Sequence, residues 1–138
     1  MRVIADSNVI ISGLFWRGPP RAILDAAREG RIELFTSYAL LAELEEVLDR
    51  TKFAKHLATA NTSARELVLG YASLARVIVP DAVEPIIIDD PDDDAVIACA
   101  MTAEARFIVS GDRHLLALRR YHEIEIVTAA ELMAVLIP

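Results

Sequence analysis

Residues Ile86 to Asp112 read IIIDDPDDDAVIACAMTAEARFIVSGD, and the way this stretch divides sets the reading of the whole chain. Asp89, Asp90, Asp92, Asp93 and Asp94 crowd together, so a helix N-terminus, solvent or a bound cation must relieve their repulsion. Asp90 suits an N-cap, Pro91 fits the first helical position, and acids in the first turn are favoured by the exposed N–H groups and the helix dipole. A helix over about Pro91 to Ala105 follows, with Asp93 one turn before Ile97 and two before Ala100, which directs at least one carboxylate toward the buried face. Ile86 to Ile88 is expected to be extended. Phe107 to Val109 is a short, wholly apolar strand that ends at Ser110, Gly111 and Asp112. Helices leading into continuous apolar strands mark a parallel sheet covered on both faces.

The same alternation extends in both directions. Arg2 to Ala5 predicts a buried first strand whose carboxyl end delivers Asp6, with a helix from Val9 to Phe15 and a loop over Trp16 to Pro20. Pro20 opens the next helix and Gly30 stops it. Ile32 to Thr36 is a second strand. Ser37 caps a helix from Tyr38 to about Arg50 whose apolar stripe is Leu40, Leu41, Leu44, Val47 and Leu48, with Glu43 and Glu45 bordering that stripe on opposite sides. A short helix over Lys52 to His56, a helix over Ala64 to Leu74 and a third strand over Arg76 to Val79 come next. After Asp112 a short helix runs through Leu118, Ile124 to Val127 is a fifth strand, and Thr128 caps a last helix over Ala129 to Leu136.

With 138 residues, 54% of them apolar, the chain is expected to form one domain over residues 1–138 with a real core. Its single cysteine, Cys99, lies in an apolar helical run and reads as a buried thiol, which suits a reducing cytoplasm. The start MRVIAD does not resemble a signal peptide and no apolar run approaches ~18 residues, so a soluble, cytoplasmic protein with no membrane partner is expected. A formal charge of -7 argues against non-specific binding to a polyanion, although Arg50, Lys52, Lys55 and His56 form one local basic group and Arg113, Arg119 and Arg120 another.

In an open parallel sheet, ligands gather at the carboxyl ends of strands, where Asp6 and Asp112 lie. Asp93 could be brought alongside by loops on that edge. Carboxylates with no Cys or His at ligand spacing prefer magnesium or manganese to zinc, and His56, His114 and His122 are scattered. Such a site can activate water against a phosphodiester without a covalent nucleophile. Each acid taken alone also has a plainer role, since Asp6 and Asp112 can cap the helices that follow them and Glu43 can be a surface charge. Asp93 and Asp94 point about 100° apart around one helix, so only one of them can face a given ion well.

The N-terminal VIADSNVIISGLF, the helix carrying Glu43, DDPDDDAVIACA and IVSGD together resemble the PIN domain family, most closely its prokaryotic branch of toxins from toxin–antitoxin pairs, over essentially the whole chain. The resemblance implies a three-layer α/β/α domain with a central parallel sheet and a magnesium- or manganese-dependent endoribonuclease. It places the acids at Asp6, Glu43, Asp93 and Asp112 as catalytic residues and metal ligands. Asp94 competes with Asp93, and Ser7, Asn8 and Ser110 hold the small polar positions beside the acids. RNA as substrate, an antitoxin as partner and a homodimer are implied as well, the last with the helices near Leu40 to Leu57 as a possible face. A receiver-like phosphoacceptor domain is a weaker alternative, because it needs a lysine after the last strands and Lys52 and Lys55 lie mid-chain. A metal-stabilised, non-catalytic binding module is the other.

Overall fold

A computed structural model describes residues 1–81 and 91–137, with only the backbone of residues 91 and 92. The expected extended run at Ile86 to Ile88, the acids Asp89 and Asp90 and the cap assigned to Asp90 lie outside the described residues. In chain order the elements are β1 (Arg2–Ala5), α1 (Ser7–Phe15), α2 (Pro19–Arg28), β2 (Glu33–Thr36), α3 (Tyr38–Leu48), a 3-10 turn (Thr51–Phe53), α4 (Ala54–Thr59), α5 (Ala64–Leu74), β3 (Arg76–Val77), α6 (Pro91–Ala103), β4 (Phe107–Val109), α7 (Arg113–Leu118), β5 (Arg120–Tyr121), β6 (Ile124–Val127) and α8 (Ala129–Leu136).

The strands form one sheet in the order β3-β2-β1-β4-β6-β5. Neighbours pair in parallel except β5, which runs antiparallel to β6. The parallel sheet therefore carries one antiparallel edge hairpin that the sequence did not announce. The turn at His122 and Glu123 lacks the Asn-Gly or Asp-Gly signal that marks two-residue hairpins, and His122 takes a φ of 55 without glycine. The third strand is also shorter than expected, ending at Val77.

Alternation along each strand fills two cores. Val3, Ala5, Leu34, Phe107 and Val109 face one layer with residues of α1, α2, α3, α5 and α8. Ile4, Phe35, Ile108 and Ile126 face the other, with Val96, Ile97, Cys99 and Ala100 of α6 and Leu115 of α7. Three layers result, α/β/α. Helix α3 spans them at its first turn, since Leu40 belongs to the α6 side while Leu44, Val47 and Leu48 belong to the other. These leucines are buried, as is Phe53, while Leu41 and Leu57 of the same stretch are half-buried.

Helix boundaries follow local chemistry. Helix α1 begins at Ser7 rather than Val9, because the side chain of Asp6 accepts from the Val9 N–H and caps it. Pro19 and Pro20 occupy the first positions of α2, where a missing N–H costs little. Gly13 lets α1 and α2 meet, since an added Cβ would stand 2.8 Å from the Pro20 carbonyl oxygen. Helix α6 stops at Ala103, two residues early. Ala105 N–H reaches the Ala100 carbonyl and Glu104 N–H the Met101 carbonyl, a Schellman closure with Glu104 left-handed at φ 53. At Gly30 the same closure was legible from the glycine; at Glu104 nothing in the residue type signals it.

Candidate active site

Strand β1 lies between β2 and β4, and the chain leaves it toward β2 on one side and returns through β4 on the other. That is a topological switch point, where the carboxyl ends of two adjacent parallel strands open a crevice. Asp6 follows β1 and Ser110 and Asp112 follow β4. The buried acids and aliphatic hydroxyls described lie on this edge or face it: Asp6 and Ser7 after β1, Thr36 at the end of β2 and Ser37 after it, Ser110 after β4, and Asp93 from α6. Buried polar groups are costly unless partnered, so their concentration at one edge separates a site from a packing core.

A polar cavity of about 70 Å³ is lined by Asp6, Ser7, Asn8, Glu43, Asp93, Val96 and Asp112. The fold thus brings together the four acids from β1, α3, α6 and β4, together with Ser7 and Asn8. Asp93 is buried whereas Asp94 is half-buried and does not line the cavity, as the register with Ile97 and Ala100, both fully buried, requires. Glu43 and Glu45 are both half-buried, and only Glu43 lines the cavity.

The strand-end acids are fixed by the backbone that follows them. Asp6 Oδ1 accepts from the Val9 N–H at 3.0 Å, and its Oδ2 accepts from the Ser110 hydroxyl in a short hydrogen bond. Ser110 Oγ in turn accepts the Asp112 N–H at 2.9 Å. Asp112 Oδ1 caps α7, accepting from His114 N–H at 2.8 Å and Leu115 N–H at 3.2 Å. One hydroxyl therefore couples the ends of β1 and β4. The capping role and the site role coexist, because a carboxylate has about four lone-pair positions and these bonds use only some of them.

Burial raises the pKa of Asp6 above its ordinary value; the hydrogen bonds from Ser110 and Val9 pull it partly back, and the charge of Asp112 raises it further. Two like charges across a small cavity are what a cation would relieve, and an all-oxygen donor set suits magnesium or manganese. Among the described residues no three His, Cys, Asp or Glu side chains are gathered closely enough to ligate one ion. That spacing still fits magnesium, which keeps several waters and takes only one or two carboxylates directly.

Ser37 and Thr36 form part of this polar edge and were missed as such. Ser37 read only as a cap, which it is, accepting from Leu40 N–H at 3.3 Å. Tyr71 was missed too. Its phenol is wholly buried with its pKa pushed up, mainly by burial and also by Cys99 and Asp6, and its Oη has no hydrogen-bond partner among the described residues. Burial alone pushes the Cys99 thiol up to about 12, which makes it an inert core residue. No described helix is long and apolar enough to cross a membrane.

The fold has solved relatives. VapBC2 from Rickettsia felis, determined bound to a DNA fragment from their promoter, is similar with a TM-score of 0.60 at 12% identity, covering 91% of this chain and 97% of that one. VapBC-1 from nontypeable Haemophilus influenzae is similar with a TM-score of 0.59 at 14% identity, covering 94% and 99%. At such identities the likeness is one of fold. No curated protein matches in sequence. Residues 2–114 do match the PIN domain, which spans β1, the helix with Glu43, the acidic helix and the Asp112 cap, and on that match this chain belongs to the PIN domain family.

Proposed function

We propose that this protein is a divalent-metal-dependent endoribonuclease and the toxin of a toxin–antitoxin pair. The observation that carries this reading is the convergence of Asp6, Glu43, Asp93 and Asp112, from four separate elements, on one polar cavity at the sheet's switch point. Their family setting and the likeness to two VapBC structures support an antitoxin protein as partner.

Asp6, Asp93 and Asp112, with Glu43 from α3, are the groups that would hold magnesium or manganese, directly or through water. The ion, when bound, supplies a Lewis acid that offsets phosphodiester charge and eases deprotonation of the attacking water. Ser110 holds Asp6 in place and, through its Oγ, sets the separation of Asp6 and Asp112. The raised pKa of Asp6 makes it a proton acceptor when no cation is present, so protons and cations compete for it. Glu43 is half-buried, as is Asp112, and would accept the proton of a water entering from solvent. Water is the nucleophile, its oxygen bonding to phosphorus as a ribose oxygen leaves.

The test is cleavage of single-stranded RNA by purified protein with magnesium or manganese and with chelator. Cleavage that needs the metal and is lost in Asp6→Asn is expected. Metal-dependent stabilisation without cleavage would instead assign the carboxylates to a structural site.

A further inference from the structure

The acidic cavity repels the phosphates it would have to bind, and the chain carries a formal charge of -7. A positive surface must therefore lie elsewhere if a polyanion is to be held. Two segments meet that need: residues 7–24 and 50–65 contain six of the fourteen Lys and Arg residues and none of the twenty-one Asp and Glu. They are far apart in sequence but joined in the fold by rings.

Phe15 stacks on Phe53 with centroids 5.7 Å apart, and His56 stands 5.3 Å from both Phe15 and Trp16. Trp16 remains 47% exposed. Lys52 Nζ lies 5.1 Å from the centre of the Phe53 ring. Beside the rings opens a groove of about 540 Å³ whose lining includes Phe15, Lys55, His56 and Thr59 and no acid. Arg21 donates to the Gly13 and Leu14 carbonyls and so adds a positive charge at the aromatic end of α1.

We propose that this aromatic and basic surface is a platform for single-stranded RNA, with a base stacked on Trp16 and phosphates held by Lys52 and Lys55. The inference rests on the nuclease reading and extends it to substrate engagement. Every base has a π-face, so stacking on exposed rings combined with lysines beside them grips a single strand without demanding a sequence. Position agrees with this use. Helix α1 starts at the Asp6 cap and ends at Phe15, a span of roughly 14 Å at 1.5 Å per residue, which puts the platform a few nucleotides from the carboxylates. The other basic group fits less well, because Arg120 is paired with Glu125 at 2.9 Å and Glu123 adjoins it.

Trp16 is the only tryptophan, so its fluorescence reports the platform directly. In chelator, where cleavage is off, a short oligouridine should quench the emission saturably. The abasic ribose-phosphate chain should not. Trp16→Ala should weaken oligouridine binding about 5- to 150-fold, the range of one lost stacking contact, with Trp16→Phe restoring most of it and unchanged circular dichroism in both. Lys52→Ala with Lys55→Ala should flatten the salt dependence. Quenching by RNA in a protein that never cleaves would sustain the platform and sink the nuclease reading. RNA that is cleaved, or bound, with no change in Trp16 emission overturns the platform and leaves the nuclease standing. Emission that responds only to a co-expressed partner protein also overturns it, and assigns the groove to a protein interface.

Discussion

The two ends of helix α1 are built on opposite principles. At its start, Asp6 opens onto a cavity of about 70 Å³ walled by carboxylates; at its end, Phe15 opens onto a groove of about 540 Å³ beside rings and lysines. The larger opening is the less demanding one to build, since aromatic and aliphatic groups need no partners. The smaller holds buried polar groups that must be satisfied one by one, through the Val9 N–H, the Ser110 hydroxyl and the backbone at Asp112. Volume thus marks where something large could rest. Buried polar atoms mark where chemistry is organised.

The largest expected effect divides two neighbouring residues of the acidic helix. Asp93→Asn should lower the cleavage rate by orders of magnitude at saturating manganese, and Asp94→Asn by only ~10 to 100-fold, the range of an outer-shell partner. A larger loss at Asp94 would show that the carboxylate outside the cavity does the chemistry, and the contrast between the two ends of α1 would have been drawn around the wrong acid.

Ser110→Ala sharpens the same contrast from the other side of the cavity. Loss of the hydroxyl strips Asp6 of the hydrogen bond that holds its pKa down and leaves the Asp112 N–H without its acceptor. Activity should fall ~10 to 100-fold, with a stability loss of about 1 to 3 kcal/mol in urea melts. Binding of oligouridine in chelator should be untouched, because the platform lies at the far end of α1. Equal losses in cleavage and binding would merge the two regions into one.

Asp6 also sets a pH dependence. Its folded pKa lies above the ordinary value of 3.8, so between those two values the metal-free native state binds more protons than the unfolded chain. Its penalty is absent below 3.8 and grows as pH rises through the folded value. In chelator, Asp6→Asn should therefore melt on the order of a few °C higher than wild type at neutral pH, with the difference vanishing in acid. Magnesium should reverse the trend, raising Tm more as pH rises. Thermal melts across pH, with and without magnesium, check both signs; a metal-free Tm that rises on ionisation of Asp6 would contradict the burial of an uncompensated charge.

The smallest effect concerns Tyr71, whose buried hydroxyl lacks a hydrogen-bond partner among the described residues. Tyr71→Phe should be neutral or stabilising by up to about 1 kcal/mol, with cleavage unchanged. A clear loss of activity would draw Tyr71 into the chemistry of the neighbouring Asp6.

The sequence by itself determined the periodicities. Apolar runs of three or four residues ahead of Asp6 and Asp112 marked strands β1 and β4, and the spacing of Asp93, Ile97 and Ala100 favoured Asp93 over Asp94 as the inward carboxylate, because both follow from backbone geometry within a single element. Gly30 and the Asp, Ser and Thr caps were equally local. What only the tertiary structure decided was anything that depends on two elements meeting. Glu43 and Glu45 flank the same helical stripe, and the choice between them depends on where α3 crosses the carboxyl edge of the sheet. The antiparallel β5 escaped notice because a two-residue strand acquires its state from the partner it pairs with, and its turn carries no glycine. The coupling of Asp6 to Asp112 through one hydroxyl, and the joining of Trp16 to His56, are contacts across 104 and 40 positions of chain. Neither spacing leaves a periodic trace, since the closure of long loops is set by packing of the intervening core and not by the residues that finally touch.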